Sequence, residues 1–254
     1  MVQVIIIPVH NQLPYLIKCV TSVFKYTTNP ELIIVDDGST DEETRDWITR
    51  NEKPLQYTLI RHETAMGFSR ACNDAIDFAM ANFDFQQLCL LNSDAEIITD
   101  DWFGKVSTYM NADDKIGIAG VMSDNALVQS VPNVDRYLIG MERRPTVYSY
   151  FIHGFCYFIS RKLIMTIGKL DEVKFPHYGS EDDYSLKSVQ YGFSNILVGS
   201  VLVKHKNMTS YNAARRGAIV NTSSADLVKR WSYGLVNKCG NMSNKAAKHV
   251  LQKK

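Results

Sequence analysis

Apolar runs and helical repeats alternate along the N-terminal part of the chain. Four short runs predict strands: Val2 to Ile7, Leu32 to Val35, Gln56 to Ile60 and Gln87 to Leu91. The first is a continuous apolar run, as expected of a central strand buried on both faces, and the second is also predicted to be buried. Between them, apolar residues recur at helical spacing, with helix starts predicted at Asn11, Thr40 and Phe68. This order predicts an α/β fold with a mostly parallel, doubly wound sheet that carries helices on both faces.

The pattern is less regular in the rest of the chain. Helices are predicted at 101–110, 161–167 and 181–191, and strands at 116–121, 155–160 and 195–203. Residues 123–150 have no clear period, which is typical of a long loop that is either functional or disordered. Helical patterns at 227–237 and 244–252 predict a helical C-terminal tail. We therefore expect one domain at residues 1–210 and a basic helical extension at 211–254.

Composition is that of an ordinary globular protein, with 45% hydrophobic and 22% charged residues. The most apolar long stretch, Phe151 to Ile167, is interrupted by polar and charged residues and is not expected to span a membrane. The N-terminus has no basic segment before its first apolar run, so no signal peptide is predicted. Five scattered cysteines without C-x-x-C spacing argue against structural zinc and a disulfide framework. These features predict a cytoplasmic protein.

Charge is distributed unevenly along the chain. Residues 204–254 carry eleven lysines and arginines and one acid, Asp226, although the whole chain has a net charge of only +1. A basic tail on an acidic body indicates an anionic partner, which is a membrane surface, a nucleic acid or a phosphorylated donor. Peripheral contact with the inner face of a membrane is one of these alternatives. For the last ten residues, a solvated helical face is the simpler explanation.

Polar side chains follow two of the predicted strands, where open α/β sheets place their ligands. One strand ends in Asn92-Ser93-Asp94 and another in Asp36-Asp37-Gly38-Ser39. A strand-end aspartate can accept hydrogen bonds from a nucleobase or a ribose, and Asp94 is placed to hold a divalent cation. Taken alone, both segments are also ordinary turn sequences.

Three adjacent acids, Glu181-Asp182-Asp183, stand at the predicted start of a helix. The helix dipole favours carboxylates at this position, so a capping role competes with a catalytic one. Three acids exceed what capping needs. Repulsion between crowded carboxylates raises the proton affinity of one of them, which suits that group to act as a general base.

Several familiar motifs do not occur in the sequence. The first strand is not followed by G-x-G-x-x-G, and neither G-x-x-x-x-G-K-[ST] nor G-x-S-x-G is found. The sequence therefore argues against a dinucleotide site, P-loop chemistry and the serine hydrolase elbow.

The order of motifs resembles family 2 of the glycosyltransferases, which have the GT-A fold. The matching segments are Ile5 to Asn11, Ile33 to Asp41, Gly67 to Asn73, Asn92 to Asp94, His153 to Arg161 with Gly168 to Glu172, Glu181 to Asp183, and His205. Each motif is modest, but seven of them follow the order of the family. The resemblance covers about residues 2 to 210.

The resemblance implies transfer of a sugar, with inversion, from a nucleotide-diphosphate-sugar donor to a hydroxyl of a glycan, lipid-linked or other acceptor. It also implies a divalent metal, Mn²⁺ or Mg²⁺, that neutralises the departing diphosphate. In this interpretation residues 1–121 form the nucleotide-sugar-binding half and residues 122–210 the acceptor-binding half.

The family's functional positions carry over onto matching residues. Those implied to bind the nucleotide sugar are Pro8, Val9, His10, Asn11, Asp36, Asp37, Gly67, Arg70, Asn92, Ser93 and Asp94. Those implied to bind the metal are Asp94 and His205. The base is expected among Asp182, Glu181 and Asp183, and the acceptor beside Gly154. Independently of the family motifs, Trp102 is an acceptor candidate because it closely follows Asp94, and His153 is either an acceptor contact or a satisfied core histidine. His62 and His177 are predicted at the surface.

Two positions depart from the family pattern. The first acid of the D-x-D-type motif is Asn92, so only Asp94 brings charge there. The acidic motif is one residue shorter than the commonest spacing, and Lys187 stands near where an arginine is usual. The base therefore stays open between Glu181 and Asp182.

Two other functions compete with glycosyl transfer. A sugar nucleotidyltransferase normally carries a glycine-rich basic loop after the first strand, where this chain has His10 to Pro14. A non-catalytic nucleotide- or carbohydrate-binding module would not need the acidic cluster at 181–183. Release of pyrophosphate would favour the first alternative, and an absence of metal-supported nucleotide binding the second.

Overall fold

The computed structural model describes residues 2–126, 129–206 and 213–252. Within them the elements are β1 Val4–Val9, α1 Leu13–Tyr26, β2 Glu31–Asp37, α2 Glu42–Leu55, β3 Thr58–His62, α3 Phe68–Asn82, β4 Gln87–Leu91, β5 Ala95–Ile97, α4 Trp102–Ala112, β6 Ile116–Ser123, α5 Val134–Leu138, β7 Thr146–Tyr148, β8 Cys156–Ser160, α6 Arg161–Ile167, α7 Ser180–Gln190, β9 Ser194–His205, α8 Ala213–Trp231 and α9 Tyr233–Gln252. The predicted boundary at 210/211 lies outside the described residues. Residues 123–150, predicted as a loop, contain α5 and β7.

The described strands form one sheet in the order β3-β2-β1-β4-β8-β6-β9-β5, with β7 also paired to β9. From β3 to β4 all neighbours are parallel, as the alternation of strands and helices predicts. Beyond β4 the sheet is mixed: β8 runs antiparallel to both β4 and β6, and β5 and β7 run antiparallel to β9. The second half is therefore not mostly parallel, because regular crossover helices no longer separate its strands.

Both faces of the sheet are covered by helices. Alternate residues of β1 enter opposite cores: Ile5 and Ile7 belong to the cluster that contains α1, and Val4 and Ile6 to the cluster that contains α3. All four are 0% exposed. This two-sided burial explains why β1 is uniformly apolar instead of alternating.

Asn11 does not cap α1 as predicted. The N-cap is Gln12, which adopts a left-handed conformation with φ of 67°. Asn11 instead accepts hydrogen bonds through Oδ1 from the backbone N–H of Thr40 and Asp41, at 2.8 and 3.0 Å. It therefore ties the turn after β1 to the turn after β2, where Asp41 caps α2.

The C-terminal tail is packed into the main body of the protein. The break between α8 and α9 falls at Ser232, so both predicted tail helices are displaced. Ala247 and Val250 of α9 are buried in a core cluster, while Lys245 and Lys248 stay exposed. The solvated face expected for the last ten residues is thus only one side of an amphipathic helix. Among the described residues, no helix is long and apolar enough to cross a membrane.

Trp102 lies in the core and not on an acceptor surface. Its side chain is 0% exposed and packs edge-on against Phe103 and Phe158. Its indole Nε1–H donates to Thr27 Oγ1 at 2.9 Å. This burial corrects the assignment made from the sequence, because a side chain without exposed surface cannot contact an acceptor.

Trp102→Ala is expected to lower the free energy of unfolding by about 3–5 kcal/mol, because it leaves a large cavity and an unpaired Thr27 hydroxyl. Urea unfolding measures the loss, with the half-buried Trp47→Ala as the matched control and a smaller loss expected there. A loss below about 1 kcal/mol together with impaired acceptor use would restore Trp102 to the acceptor site.

Candidate active site

A pocket of about 450 Å³ opens at the carboxyl ends of β1, β2 and β4, next to the first turn of α7. Its lining brings together residues from distant parts of the sequence that the motifs had singled out: Pro8, Val9, His10, Asp37, Asn92, Ser93, Asp94, His153, Gly154, Glu181, Asp182 and His205. The other predicted site residues, Asn11, Asp36, Gly67, Arg70, Trp102 and Asp183, do not line it. This position agrees with the rule that open α/β sheets bind ligands outside their carboxyl edge.

Asp94 and His205 meet because β5 pairs with the end of β9. Ala95 is the register partner of His205, which places the imidazole beside the residue before β5. His205 Nε2 lies 3.2 Å from Asp94 Oδ1 and 3.4 Å from Asn92 Nδ2. Both side chains are about nine-tenths buried, each with 10% of its surface exposed. Antiparallel strand pairing therefore joins two groups that are far apart in sequence.

The geometry of this pair fits a divalent cation. His205 Nδ1 lies 3.0 Å from the Asn125 carbonyl oxygen, to which it must donate. With Nδ1 engaged by this carbonyl, Nε2 is the ring nitrogen that faces Asp94 and could bind a metal ion. Two ligands bonded at roughly 2.1 Å to one octahedral ion stand about 3 Å apart, close to the separation observed here.

The described residues supply only part of a coordination shell. Among the described residues, no three histidine, cysteine, aspartate or glutamate side chains are grouped to hold a metal ion. Asn92 contributes an amide where a second carboxylate would add charge. Cations held by one or two protein ligands commonly complete their shell with substrate phosphates and water, so the pair fits an ion that arrives with a phosphorylated ligand.

Two acids of α7 face the pocket from another side. Burial, together with the neighbouring charges of Glu181 and Asp183, raises the pKa of Asp182 to about 8. Burial also raises the pKa of Glu181, whose carboxylate accepts a 3.2 Å hydrogen bond from Ser180 Oγ. A side chain on Gly154 would stand only 3.3 Å from Glu181 Cδ, so the backbone there approaches the acid closely. A carboxyl group with a raised pKa suits general-base chemistry near neutral pH.

Asp183 is structural rather than part of the pocket. It is 0% exposed and accepts hydrogen bonds from Arg230 Nη1 at 2.9 Å and Trp231 Nε1 at 2.8 Å. Lys187 Nζ lies 2.9 Å from its other oxygen. These partners turn the carboxylate away from the pocket and toward the end of α8. The prediction that Asp183 shares the catalytic role is therefore corrected.

The two strand-end aspartates of β2 have different roles. Asp36 is 1% exposed, accepts from the Ser39 backbone N–H at 2.9 Å and pairs with Arg61 at 2.9 Å. These contacts hold it below the surface, so it does not line the pocket as predicted. Asp37 does line the pocket, and its carboxylate accepts from the backbone N–H groups of Met66 and Gly67 at 2.7 and 2.8 Å.

Gly67 and Arg70 support the site from behind. Gly67 has φ of 102°, and a side chain there would stand 2.7 Å from the Pro176 carbonyl oxygen. Arg70 binds Asp74 and Glu172, both at 2.9 Å, which ties α3 to the segment before α7. Neither residue lines the pocket, because the first is buried by this packing and the second is directed at its two acids.

Three histidines line the pocket in addition to His205, namely His10, His153 and His177. His10 Nδ1 lies 2.8 Å from the Asp37 carbonyl oxygen, to which it donates. Burial, together with the nearby His205, lowers the pKa of His153 to about 4. His153 is therefore neutral at pH 7 and adds no charge beside Asp94 and His205.

One wall of the pocket was missed in the sequence. Val220, Ser223, Ser224 and Leu227 of α8 line it, together with His177, which was predicted at the surface, and Tyr178. The amphipathic pattern of the tail signals a packed helix but not the surface on which it packs. The contacts of Arg230 and Trp231 with Asp183 fix that choice.

Three solved structures share this fold across most of the chain. The first is the mannosyltransferase PcManGT from Pyrobaculum calidifontis in complex with GDP-Man and Mn²⁺, with a TM-score of 0.68, 15% identity, and coverage of 97% of this chain and 73% of that one. The second is GalNAc-T7 with UDP, GalNAc and Mn²⁺, with a TM-score of 0.66, 16% identity, and coverage of 98% of this chain and 55% of that one. The third is S. aureus TarS 1-349, with a TM-score of 0.60, 13% identity, and coverage of 90% of this chain and 72% of that one. The protein therefore has the GT-A fold of glycosyltransferases, which confirms the predicted fold class.

Residues 4–167 match the family model described as "Glycosyl transferase family 2". The chain belongs to this family. Among curated proteins it is similar to "Uncharacterized protein y4gI" of Sinorhizobium fredii (strain NBRC 101917 / NGR234), with 26% identity over 215 residues. The match covers 76% of this chain but only 23% of that protein.

Proposed function

We propose that the protein is a metal-dependent, inverting glycosyltransferase that uses a nucleotide-diphosphate-sugar donor. One observation carries this proposal: three features line the same pocket. They are Asp37 at the end of β2, the Asp94–His205 pair, and Asp182 on α7. Glycosyl transfer has three requirements, and each feature would meet one of them. Asp37 would recognise the nucleoside, the Asp94–His205 pair would stabilise the leaving diphosphate, and Asp182 would remove the acceptor proton.

Asp37 and His10 would contact the nucleoside part of the donor. A carboxylate accepts hydrogen bonds only, so Asp37 favours ribose hydroxyls and bases with an N–H at their pairing edge. The side chains of Ala65 and Phe68 line the same end and provide apolar contact. The solved complexes with GDP-Man and with UDP are consistent with nucleoside diphosphates as the ligand class.

Asp94 and His205 would hold the divalent ion, which when bound neutralises charge on the diphosphate as it leaves. An imidazole ligand favours a transition ion such as Mn²⁺ over Mg²⁺. Hydrogen bonding of His205 Nδ1 to Asn125 keeps Nε2 oriented toward the pocket. Asn92 remains available to hydrogen-bond a water molecule or a phosphate oxygen.

Asp182 would take the proton from the acceptor hydroxyl, and Glu181 beside it would share the negative charge. A single displacement needs one base and no covalent intermediate, which agrees with inversion. The acceptor would enter between His153, Gly154 and the wall formed by α8. The exposed lysines of α9 make a lipid-linked or otherwise anionic acceptor at a membrane surface the favoured class.

A panel of nucleotide sugars tests this proposal. With Mn²⁺, one nucleotide sugar is expected to raise the melting temperature and to be slowly hydrolysed to the nucleoside diphosphate, and EDTA should remove both effects. Release of pyrophosphate would instead indicate the nucleotidyltransferase reaction. Failure of every nucleotide sugar and nucleoside diphosphate to bind would contradict the proposal and favour a module without donor chemistry.

A further inference from the structure

His62, predicted at the surface, is buried between two acids. Its side chain is only 9% exposed. Nδ1 lies 2.8 Å from Asp37 Oδ1, and Nε2 lies 3.0 Å from Asp74 Oδ2. Each ring nitrogen thus faces a carboxylate oxygen, and one of those carboxylates lines the pocket.

Asp37 in turn organises the loop that follows β3. Its carboxylate accepts from the amides of Met66 and Gly67, so the Asp37 side chain fixes residues 64–67 against the strand end. Gly38, with φ of +65°, lets the loop at 64–67 pack closely against the turn after β2, since a side chain at Gly38 would stand 2.4 Å from the Ala65 backbone nitrogen. Ala65 lines the pocket beside Asp37. The conformation of this wall therefore depends on where the Asp37 carboxylate is held.

We infer that His62 is a positioning residue for the donor. It holds the Asp37 carboxylate, and through it the loop at 64–67, in the conformation that receives the nucleoside diphosphate. His62 acts from the far side of Asp37 and does not line the pocket. The inference rests on the proposed function, because it assumes that this wall of the pocket binds the donor.

The neighbouring residue provides an internal comparison. In the pairing of β2 with β3, Asp36 is the partner of Arg61 and Asp37 is the partner of His62. Arg61 binds Asp36 at 2.9 Å, but Asp36 does not line the pocket. The two adjacent pairs are thus similar in kind, and only the pair formed by His62 and Asp37 includes a residue that lines the pocket.

Four variants test the role of His62: His62→Ala, His62→Asn, His62→Gln and Arg61→Gln. The amide nitrogen of asparagine occupies nearly the position of Nδ1 and can still donate to Asp37, whereas that of glutamine replaces Nε2 and reaches toward Asp74. GDP and UDP with Mn²⁺ are the probes, and titration calorimetry measures the dissociation constant. Thermal unfolding of each variant is measured in parallel.

His62→Ala and His62→Gln are expected to raise the dissociation constant at least roughly tenfold, while His62→Asn stays within about threefold of the unsubstituted protein. Arg61→Gln should lower the melting temperature without changing the dissociation constant by more than about twofold. The positioning role would be overturned if His62→Asn and His62→Gln weakened diphosphate binding equally, or if His62→Ala left the affinity unchanged. Equal weakening of binding by Arg61→Gln would also overturn it, because a general loss of stability would then account for the effect of His62.

Amide hydrogen exchange separates this inference from the proposed function. The Met66 and Gly67 amides should lose protection in His62→Ala and His62→Gln, but not in His62→Asn or Arg61→Gln. If the unsubstituted protein binds no nucleotide sugar and no nucleoside diphosphate, the proposed function fails, and the exchange pattern still decides whether His62 holds Asp37. Unchanged protection in His62→Ala would overturn the inference directly.

Discussion

Asp94→Asn is expected to lower kcat/KM for the donor at least about a thousandfold and to abolish its dependence on Mn²⁺. The substitution preserves the shape of the side chain but removes the carboxylate that lies 3.2 Å from His205 Nε2. Asn92 cannot compensate, because it is already neutral. Steady-state kinetics across a Mn²⁺ titration and calorimetry with GDP and UDP measure the effect.

Glu96→Gln is the matched control for this experiment. Glu96 lies in β5, two residues after Asp94, and is the register partner of Lys204 in β9. It does not line the pocket. The same loss of one negative charge should leave kcat/KM within about twofold. If Asp94→Asn retained full turnover and full Mn²⁺ dependence, the metal would have to be bound elsewhere.

Asp182→Asn is expected to lower kcat by about 10²–10⁴ and to leave the dissociation constant of the donor unchanged. Glu181→Gln is the comparison that decides between the two acids. If Glu181→Gln produced the large loss and Asp182→Asn did not, the roles of the two residues would be exchanged. Asp183→Asn would not answer this question, because it leaves Arg230 and Lys187 without their buried partner.

The same experiment predicts a pH profile. The base acts as its carboxylate, and the pKa of Asp182 is raised to about 8. Turnover of the unsubstituted protein should therefore increase as the pH rises from 6 toward 9. A profile that is flat in this range would exclude Asp182 with a raised pKa as the base.

Stability should change with pH in the opposite direction. The pKa of Asp182 is higher in the folded protein than the ordinary value of 3.8, so the folded state binds this proton more tightly than the unfolded chain. Stability is then lost as the pH rises from about 4 through about 8. Without metal, Asp182→Asn should raise the melting temperature by roughly 5 °C at pH 8 and leave it nearly unchanged at pH 4.

Local sequence patterns predicted the first half of the fold well. A strand buried on both faces needs a continuous apolar run, and β1, β2 and β4 show one. The parallel direction follows from the helices between these strands, which leave few alternatives. The positions of Asp37 and Asp94 at strand ends follow in turn, since carboxyl ends of parallel strands share one edge of the sheet.

Local patterns were less informative where packing decides whether a side chain faces the pocket or the core. Asp36 and Asp37 are adjacent and chemically identical, yet alternation along β2 and the positions of Arg61 and His62 direct only Asp37 into the pocket. Trp102 was assigned to the acceptor because it follows Asp94 closely, but the rotation of α4 turns it into the core. Asp183 lies on the side of α7 that meets α8, a surface that no local pattern identifies.

The sequence by itself determined the alternating α/β order, the strand-end aspartates, the acidic start of α7 and the resemblance to family 2 glycosyltransferases. These are short-range properties, set by hydrophobic periodicity and by residue type within one element. Only the tertiary structure decided that β9 returns His205 to Asp94, that α8 forms a wall of the pocket, and that His62 supports Asp37. Those contacts join segments far apart in the chain, and their formation depends on strand pairing and helix packing across the whole sheet.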